Sequence, residues 1–397
     1  MSTRVIYTDN NATTRLAPEV LEAMMPFLRD LYGNASSMHS FGGQVRTHVE
    51  SAREKVAALL GADPQEILFT SGGTESDNAA ILSALEENVK RRKVVTTRVE
   101  HPAVLSLCKV LKERGYHVDY VPVNNKGQLC LDALVNMIDD ETAVVSVMWA
   151  NNEIGNIYPV HEIAKIAHEN GALFHTDAVQ AVGKVPVDLS VSEIDFLSLS
   201  GHKFHGPKGS GALYVRRGVA LHISMTGGQQ EFGLRAGTEN TPGIVGIGAA
   251  AELALGRLSE EGSRVAALRD HLETGLLSQG LDARVNGNPM NRLPNTTNIS
   301  FEFVEGESIL LRLDQHGIAA SSGSACTSGS LEPSHVLRAM GVPYTAAHGS
   351  IRFSLSRYNT EEEMNEIIKC LPPIIRTLRD ISPFGRSGAV RAQPAEA

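Results

Sequence analysis

A lysine stands between two histidines in Ser200-Gly201-His202-Lys203-Phe204-His205-Gly206-Pro207-Lys208-Gly209, directly after the apolar run Phe196-Leu197-Ser198-Leu199. An amine at the end of a buried strand, in a turn rich in Gly and Pro, can form a Schiff base with a carbonyl cofactor if its surroundings hold it partly neutral. The segment is no nucleotide P-loop, because G-x-x-x-x-G-K-[ST] is absent; its ordinary reading is a surface loop. His175-Thr176-Asp177-Ala178-Val179-Gln180 closes another apolar run. A carboxylate there is costly unless a cation pairs with it, and a protonated pyridine nitrogen is one such cation. The ordinary reading of Asp177 is a helix cap. Gln180, three residues on, can turn toward the same ligand if a helical turn begins here. Thr70-Ser71-Gly72-Gly73-Thr74-Glu75-Ser76 joins a strand to a helix, and its glycines, free N–H groups and the Thr74 hydroxyl make a phosphate cradle. His101 in Glu100-His101-Pro102 can stack on a flat ring or move protons. Asn151-Asn152-Glu153 follows a strand-like run as well.

The last segment with chemistry is Ser321-Ser322-Gly323-Ser324-Ala325-Cys326-Thr327-Ser328-Gly329-Ser330. So many small polar residues bury little, so this reads as a mobile loop. A thiol in such a loop is an oxidation liability, which favours a nucleophilic role for Cys326 once it is ionised. Cys108, Cys130 and Cys370 lie in apolar helical or strand-like contexts and read as small core residues. Arg352, in Ser350-Ile351-Arg352-Phe353, can grip a carboxylate in two-pronged fashion.

These residues need a scaffold. Between about 64 and 220, short β-branched runs alternate with helical patterns, which predicts an α/β fold with a mostly parallel sheet covered by helices and chemistry at the carboxyl ends of its strands. A long amphipathic helix is expected to start near Leu258. Strands at 295–303 and 350–355, with helices at about 306–316, 333–340 and 360–379, predict a smaller α+β domain. The division expected is 15–257 for the large domain, 1–14 and 258–382 for the small one with the mobile loop 321–333, and 383–397 as a loose tail. The chain has 397 residues and a net charge of −9, which argues against a general polyanion binder. Four cysteines without a CxxC pair exclude a disulfide framework or a cysteine zinc site. No secretory leader is read at the start and no apolar run reaches membrane-spanning length, so a soluble cytoplasmic protein is expected.

Taken together, Tyr7-Thr8-Asp9-Asn10-Asn11-Ala12-Thr13-Thr14, Ser200-Gly201-His202-Lys203, His175 to Gln180, Arg235-Ala236-Gly237-Thr238-Glu239-Asn240 and the cysteine loop through Leu331-Glu332-Pro333-Ser334-His335 resemble the cysteine desulfurases of the class V aminotransferase group, pyridoxal-phosphate enzymes of fold type I. Glu100 to Leu107 and Ser146 to Glu153 are most similar to its nitrogen-fixation members. The resemblance implies that Lys203 holds pyridoxal 5'-phosphate, Asp177 pairs with the pyridine nitrogen, Gln180 meets the phenolic oxygen and His101 stacks on the ring and shuttles protons. It implies that Gly73, Thr74, Ser200 and His202 bind the phosphate, with Gly201 and Asn152 beside the cofactor. Thr238 would reach the other subunit's phosphate, making the active unit a homodimer. Asn152, Arg352 and Asn34 would hold the carboxylate of L-cysteine. Cys326 would attack its sulfur, leave L-alanine and keep a persulfide that could transiently ligate iron-sulfur material. The implied acceptor is an iron-sulfur scaffold protein, of nitrogenase assembly or of general assembly. An aminotransferase or selenocysteine lyase on the same cofactor, or a non-catalytic sulfur- or metal-binding scaffold, are the alternatives. Ile154 and Phe232 depart from the pattern, where threonine and a basic residue are frequent.

Overall fold

The structure, a computed structural model, describes residues 5–222, 225–322 and 333–382. The chain opens with β1 (Ile6–Tyr7), α1 (Pro18–Arg29) and α2 (Ser40–Leu60). It then alternates through β2 (Ile67–Thr70), α3 (Gly73–Glu87), β3 (Lys93–Thr97), α4 (Pro102–Glu113), β4 (His117–Val121), α5 (Leu131–Met137), β5 (Thr142–Ser146), α6 (Val160–Glu169), β6 (Leu173–Asp177), β7 (Phe196–Ser200) and β8 (Gly211–Val215). After α7 (Thr241–Leu277) come β9 (Ala283–Asn286), β10 (Thr296–Phe301), α8 (Gly306–Gln315), β11 (Ile318–Ala319), α9 (His335–Ala339), α10 (Tyr344–His348), β12 (Ser350–Ser354) and α11 (Glu361–Ile381).

The seven-stranded sheet has the order β2-β8-β7-β6-β5-β3-β4. All but the edge strand β4 are buried along almost their whole length, as sheets covered on both faces require. β3, β4, β5, β6 and β7 pair in parallel, while β8 runs antiparallel to both β7 and β2. The expected mostly parallel sheet is therefore present, with one reversed strand. β2, β3, β5, β6 and β7 consequently all end on one edge, and Gly73, His101, Asn152, Asp177 and Lys203 lie at those strand ends or in the segments just after them.

The long helix begins at Thr241, not near Leu258. Its first half, with Gly243, Gly246, Gly248 and a run of alanines, hides from a search for bulky periodic residues. Packing explains the composition: a Cβ on Gly248 would sit 2.6 Å from the Cα of Ala52 on α2. Only glycine allows the two helices so close. The second half of α7 joins a separate apolar core with Ile299, Phe301, Ile351, Phe353, Met364 and Ile375. There β12, β10 and β9 form an antiparallel sheet. None of the described helices is long and apolar enough to cross a membrane.

Behind the edge strand β2, Arg53 is 3% exposed and Glu231 8%. Arg53 Nη1 donates to Glu231 Oε2 at 2.9 Å and to the Ile67 carbonyl at 2.8 Å, and Glu231 also accepts from the Phe69 amide. The guanidinium lies 4.7 Å from the Phe69 ring centroid and 5.0 Å from that of Phe232. Phe232, one of the two departures noted above, is thus an aromatic lid on a buried cation, held at φ 60°. Ile154, the other, is a core residue 1% exposed. Arg53→Met would leave the Glu231 carboxylate buried without its cation, at a cost of about 3–5 kcal/mol. Denaturant unfolding of the cofactor-free protein should show that loss, and a second change, Glu231→Leu, should recover part of it.

Candidate active site

The strand ends surround a cleft of about 360 Å³. Gly73, Thr74, His101, Asn152, Asp177, Gln180, Ser200, His202, Lys203 and Arg352 all line it. Gly201 lies beneath, packed in the turn that presents Lys203: its amide donates to the Ser210 carbonyl at 2.9 Å, and a Cβ there would crowd Ser210 and Pro207. Asn34 and Thr238 lie outside this cleft and are exposed. Cys326 falls outside the described residues.

At one end of the cleft α3 begins. Gly73 is needed for space, because a Cβ would stand 2.5 Å from Val179 Cγ2. The helix thus approaches the turn after β6 closely and offers its first N–H groups there. Glu75 braces this end, accepting from the Ser71 amide at 2.7 Å and from Arg235 Nε at 2.8 Å. His202 faces Thr13 Oγ1 at 3.1 Å, and burial and the neighbouring lysines push it down to about 4, so it is neutral at pH 7.

At the centre Lys203 Nζ donates to the carbonyls of Asn11 (2.7 Å) and Ala12 (2.9 Å). Asp177 is 5% exposed. Its Oδ1 accepts from the Val179 amide at 2.9 Å, but no helix lies between β6 and β7, so Asp177 holds a turn and is not a helix cap. Burial, then repulsion from Asp77, raises its acid group to about 6. Among the described residues no lysine, arginine or histidine lies within ion-pair distance of it. His101 caps α4, its Nδ1 accepting from the Ala103 amide at 3.1 Å, and desolvation lowers its pKa.

Opposite these groups Arg352 is 2% exposed, with Nη2 on Asp9 Oδ1 at 2.7 Å and Nη1 on the Asn152 carbonyl at 3.0 Å. Its Nε has no hydrogen-bond partner. A buried guanidinium with an unused donor beside a cleft is suited to a carboxylate ligand.

Several site residues were not singled out in the sequence. Asp77 lines the cleft one turn beyond Thr74 and is 1% exposed. Its Oδ1 has no hydrogen bond and lies 3.4 Å from His175 Nε2. Burial raises it to about 7, and raises Glu100, next to His101, to about 8. The spacing of Asp77 from Thr74 is its only sequence signal. Asn11 lay inside a quoted motif with no role assigned; its carbonyl also accepts from Gln180 Nε2 at 2.9 Å.

These buried acids give a pH dependence with a definite sign. A carboxyl whose folded value is raised binds its proton more tightly when folded, so its stabilisation is lost as pH rises toward that value. His175, His202 and His205, pushed down to about 4, act oppositely but only up to their ordinary value near 6.5. Lys184, whose proton affinity is lowered well below that of an ordinary lysine, also acts oppositely, and up to the ordinary lysine value. Between pH 6.5 and 8 Glu100 therefore works against Lys184, and removing the acid isolates its share. Glu100→Gln, compared with the parent by thermal melting of the cofactor-free protein, should gain relative stability as pH rises from 6.5 to 8, by up to about 1.4 kcal/mol per pH unit.

The residues fit pyridoxal phosphate. The cleft holds a buried carboxyl lacking a cation, a lysine at its centre and a helix N-terminus at one end, which match a protonated ring nitrogen, an aldehyde and a phosphate. Fold and site together define a member of the class-V aminotransferases, and the model of that family, "Aminotransferase class-V", matches residues 6–367. A cysteine desulfurase of Trichormus azollae is 58% identical over 391 residues, covering 98% of each chain. Cysteine desulfurase NifS of Azotobacter vinelandii is 57% identical over 393 residues, 99% of this chain and 98% of that one. A solved structure described as a NifS-like protein superposes with a TM-score of 0.89 at 43% identity, covering 94% of this chain and all of the other. The chain belongs to the aminotransferase class-V family, on its cysteine desulfurase branch.

Proposed function

We propose that the chain removes sulfur from L-cysteine, with pyridoxal 5'-phosphate in the cleft, and passes it by way of Cys326 to an iron-sulfur scaffold protein. The balance is L-cysteine plus the Cys326 thiol giving L-alanine plus a Cys326 persulfide. The observation that carries this reading is Asp177, a buried acid without a cation, in one cleft with Lys203 and with an arginine that has a donor to spare.

When bound, the cofactor supplies an electron sink for negative charge at the substrate α-carbon. The chain's residues do the rest. Asp177 holds the proton of the ring nitrogen. Gln180 donates to the phenolic oxygen. His101 covers the ring face. Gly73, Thr74, Ser200 and His202 bind the phosphate, with Gly201 shaping the turn and Asn152 beside the ring. Lys203 Nζ would hold the aldehyde and, as a free amine, would move the substrate α-proton. Arg352 and Asn152, with Asn34, grip the substrate carboxylate. Thr238, exposed here, serves a second copy of the chain, so the active unit is a homodimer.

We assign residues 15–257 to the cofactor-bearing domain, 1–14 and 258–382 to the one that moves the cysteine, and 383–397 to a tail, and we place the enzyme in the cytoplasm. The resemblance of the segments at 100–107 and 146–153 favours nitrogenase cluster assembly as the destination. The persulfide sulfur could ligate iron in passing. The test is turnover of L-cysteine by protein loaded with pyridoxal phosphate. Alanine and persulfide in equal amounts are expected; keto-acid production, or no turnover, would reject the reading.

A further inference from the structure

Lys184 has no place in the chemistry above, yet its amine sits against two residues that line the cleft, Gln180 and Asn11. It follows Gln180 by one helical turn's spacing. Its Nζ donates to Gln180 Oε1 at 2.5 Å and to Asn11 Oδ1 at 3.1 Å. Among the described residues no carboxylate lies within ion-pair distance. Desolvation, then Lys203 and Arg352, lower its proton affinity well below that of an ordinary lysine. The nitrogen retains N–H groups to donate in either protonation state, so both contacts survive.

The neighbours fix which way the Gln180 amide points. The Asn11 main-chain carbonyl can only accept, so the Gln180 atom 2.9 Å from it must be Nε2. Lys184, a donor, must then face the carbonyl end. The reverse orientation would set oxygen against oxygen at Asn11 and N–H against N–H at Lys184. Asn11 is itself pinned: its Nδ2 donates to the Asn152 carbonyl at 3.1 Å and to Thr296 Oγ1 at 2.8 Å, which turns its Oδ1 toward Lys184. Gln180 Nε2 spends one hydrogen on Asn11 and has a second left, and Gln180 lines the cleft.

We propose that Lys184 is a positioning residue that, with Asn11, locks the Gln180 amide so that an N–H, never a carbonyl oxygen, faces the ring oxygen of the cofactor. The proposal rests on the reading of Gln180 given above. A donor at that oxygen favours its anionic form and lowers the pH at which the bound cofactor's visible band titrates. Losing the lock raises that midpoint.

The experiment is a pH titration of the visible band in full-length protein loaded with pyridoxal phosphate. Cofactor-free protein is melted in parallel to confirm folding. Lys184→Met should raise the midpoint by about half a unit to one unit. Lys184→Arg, which keeps a donor, should stay closer to the parent, and it keeps the proposal testable if the methionine variant does not fold. Gln180→Leu should raise the midpoint at least as far. Adding Lys184→Met to Gln180→Leu should change nothing more, because the lysine acts only through the amide. If Gln180→Leu shifts the midpoint and Lys184→Met does not, the lock is disproved while the Gln180 reading stands. If Gln180→Leu shifts nothing, the Gln180 reading fails and the proposal falls with it.

Discussion

Lys203→Ala should purify without covalently held pyridoxal phosphate and should form alanine from L-cysteine about a thousand-fold more slowly, or not at all. Borohydride reduction followed by peptide mapping should label the parent at Lys203 and leave the variant unlabelled. The geometry explains why no other amine substitutes. Lys203 sits on the turn directly after β7, where its Nζ meets the Asn11 and Ala12 carbonyls at the centre of the cleft. Lys184, the nearest rival, is not among the cleft-lining residues and is committed to Gln180 and Asn11. Lys208 is exposed, on the far side of the same turn. Label appearing on either would overturn the assignment of the central amine. The Asn11 carbonyl keeps a donor after the change, because Gln180 Nε2 still reaches it.

Much of this arrangement was legible in the sequence because parallel strands buried on both faces appear as short apolar runs, and the residue after each run falls on one edge. That logic reached Gly73, His101, Asn152, Asp177 and Lys203 without any three-dimensional information. It failed where composition misleads or carries no direction. The first half of α7 is glycine and alanine, chosen for close approach to α2, and so lacks the bulky stripe that marks a helix. The reversal of β8 leaves no trace in its own residues, since an apolar run reads alike in either direction. Asn11, Asp77 and Lys184 went unassigned for a third reason. Their roles depend on partners remote in the chain, such as Asn11 with Gln180, Thr296 and Asn295. Phe232 shows the limit of reasoning from a departure alone, since its purpose, covering Arg53, emerges only once α2 and β2 are in place.

Cys326→Ala should retain the cofactor and its visible band yet yield no protein persulfide and less than about a thousandth of the parent's alanine. The other cysteines make this a sharp test. Cys108 is wholly buried, and burial pushes its thiol up to about 12, so it holds almost no thiolate at neutral pH. Burial also raises Cys370, on α11. Cys130 is exposed, but it precedes α5 and does not line the cleft. A triple change of these three to serine should therefore keep persulfide formation within a few-fold of the parent. The described residues on either side of position 326 meet the cleft. Ser321 pairs with Arg352 through both main-chain hydrogen bonds, at 2.6 and 3.2 Å. On the other side the Ser334 hydroxyl donates to buried Glu153, and His335 Nε2 lies 2.9 Å from the Glu100 carbonyl, beside His101. Both flanks are thus tied to the rim of the cleft, one of them to the strand that bears the proposed carboxylate-binding arginine. Three residues stand between Ser322 and Cys326 in the sequence, and four chain steps span at most about 14 Å. Persulfide on the Cys326→Ala variant, or its loss in the triple variant, would move the sulfur-accepting role to another thiol.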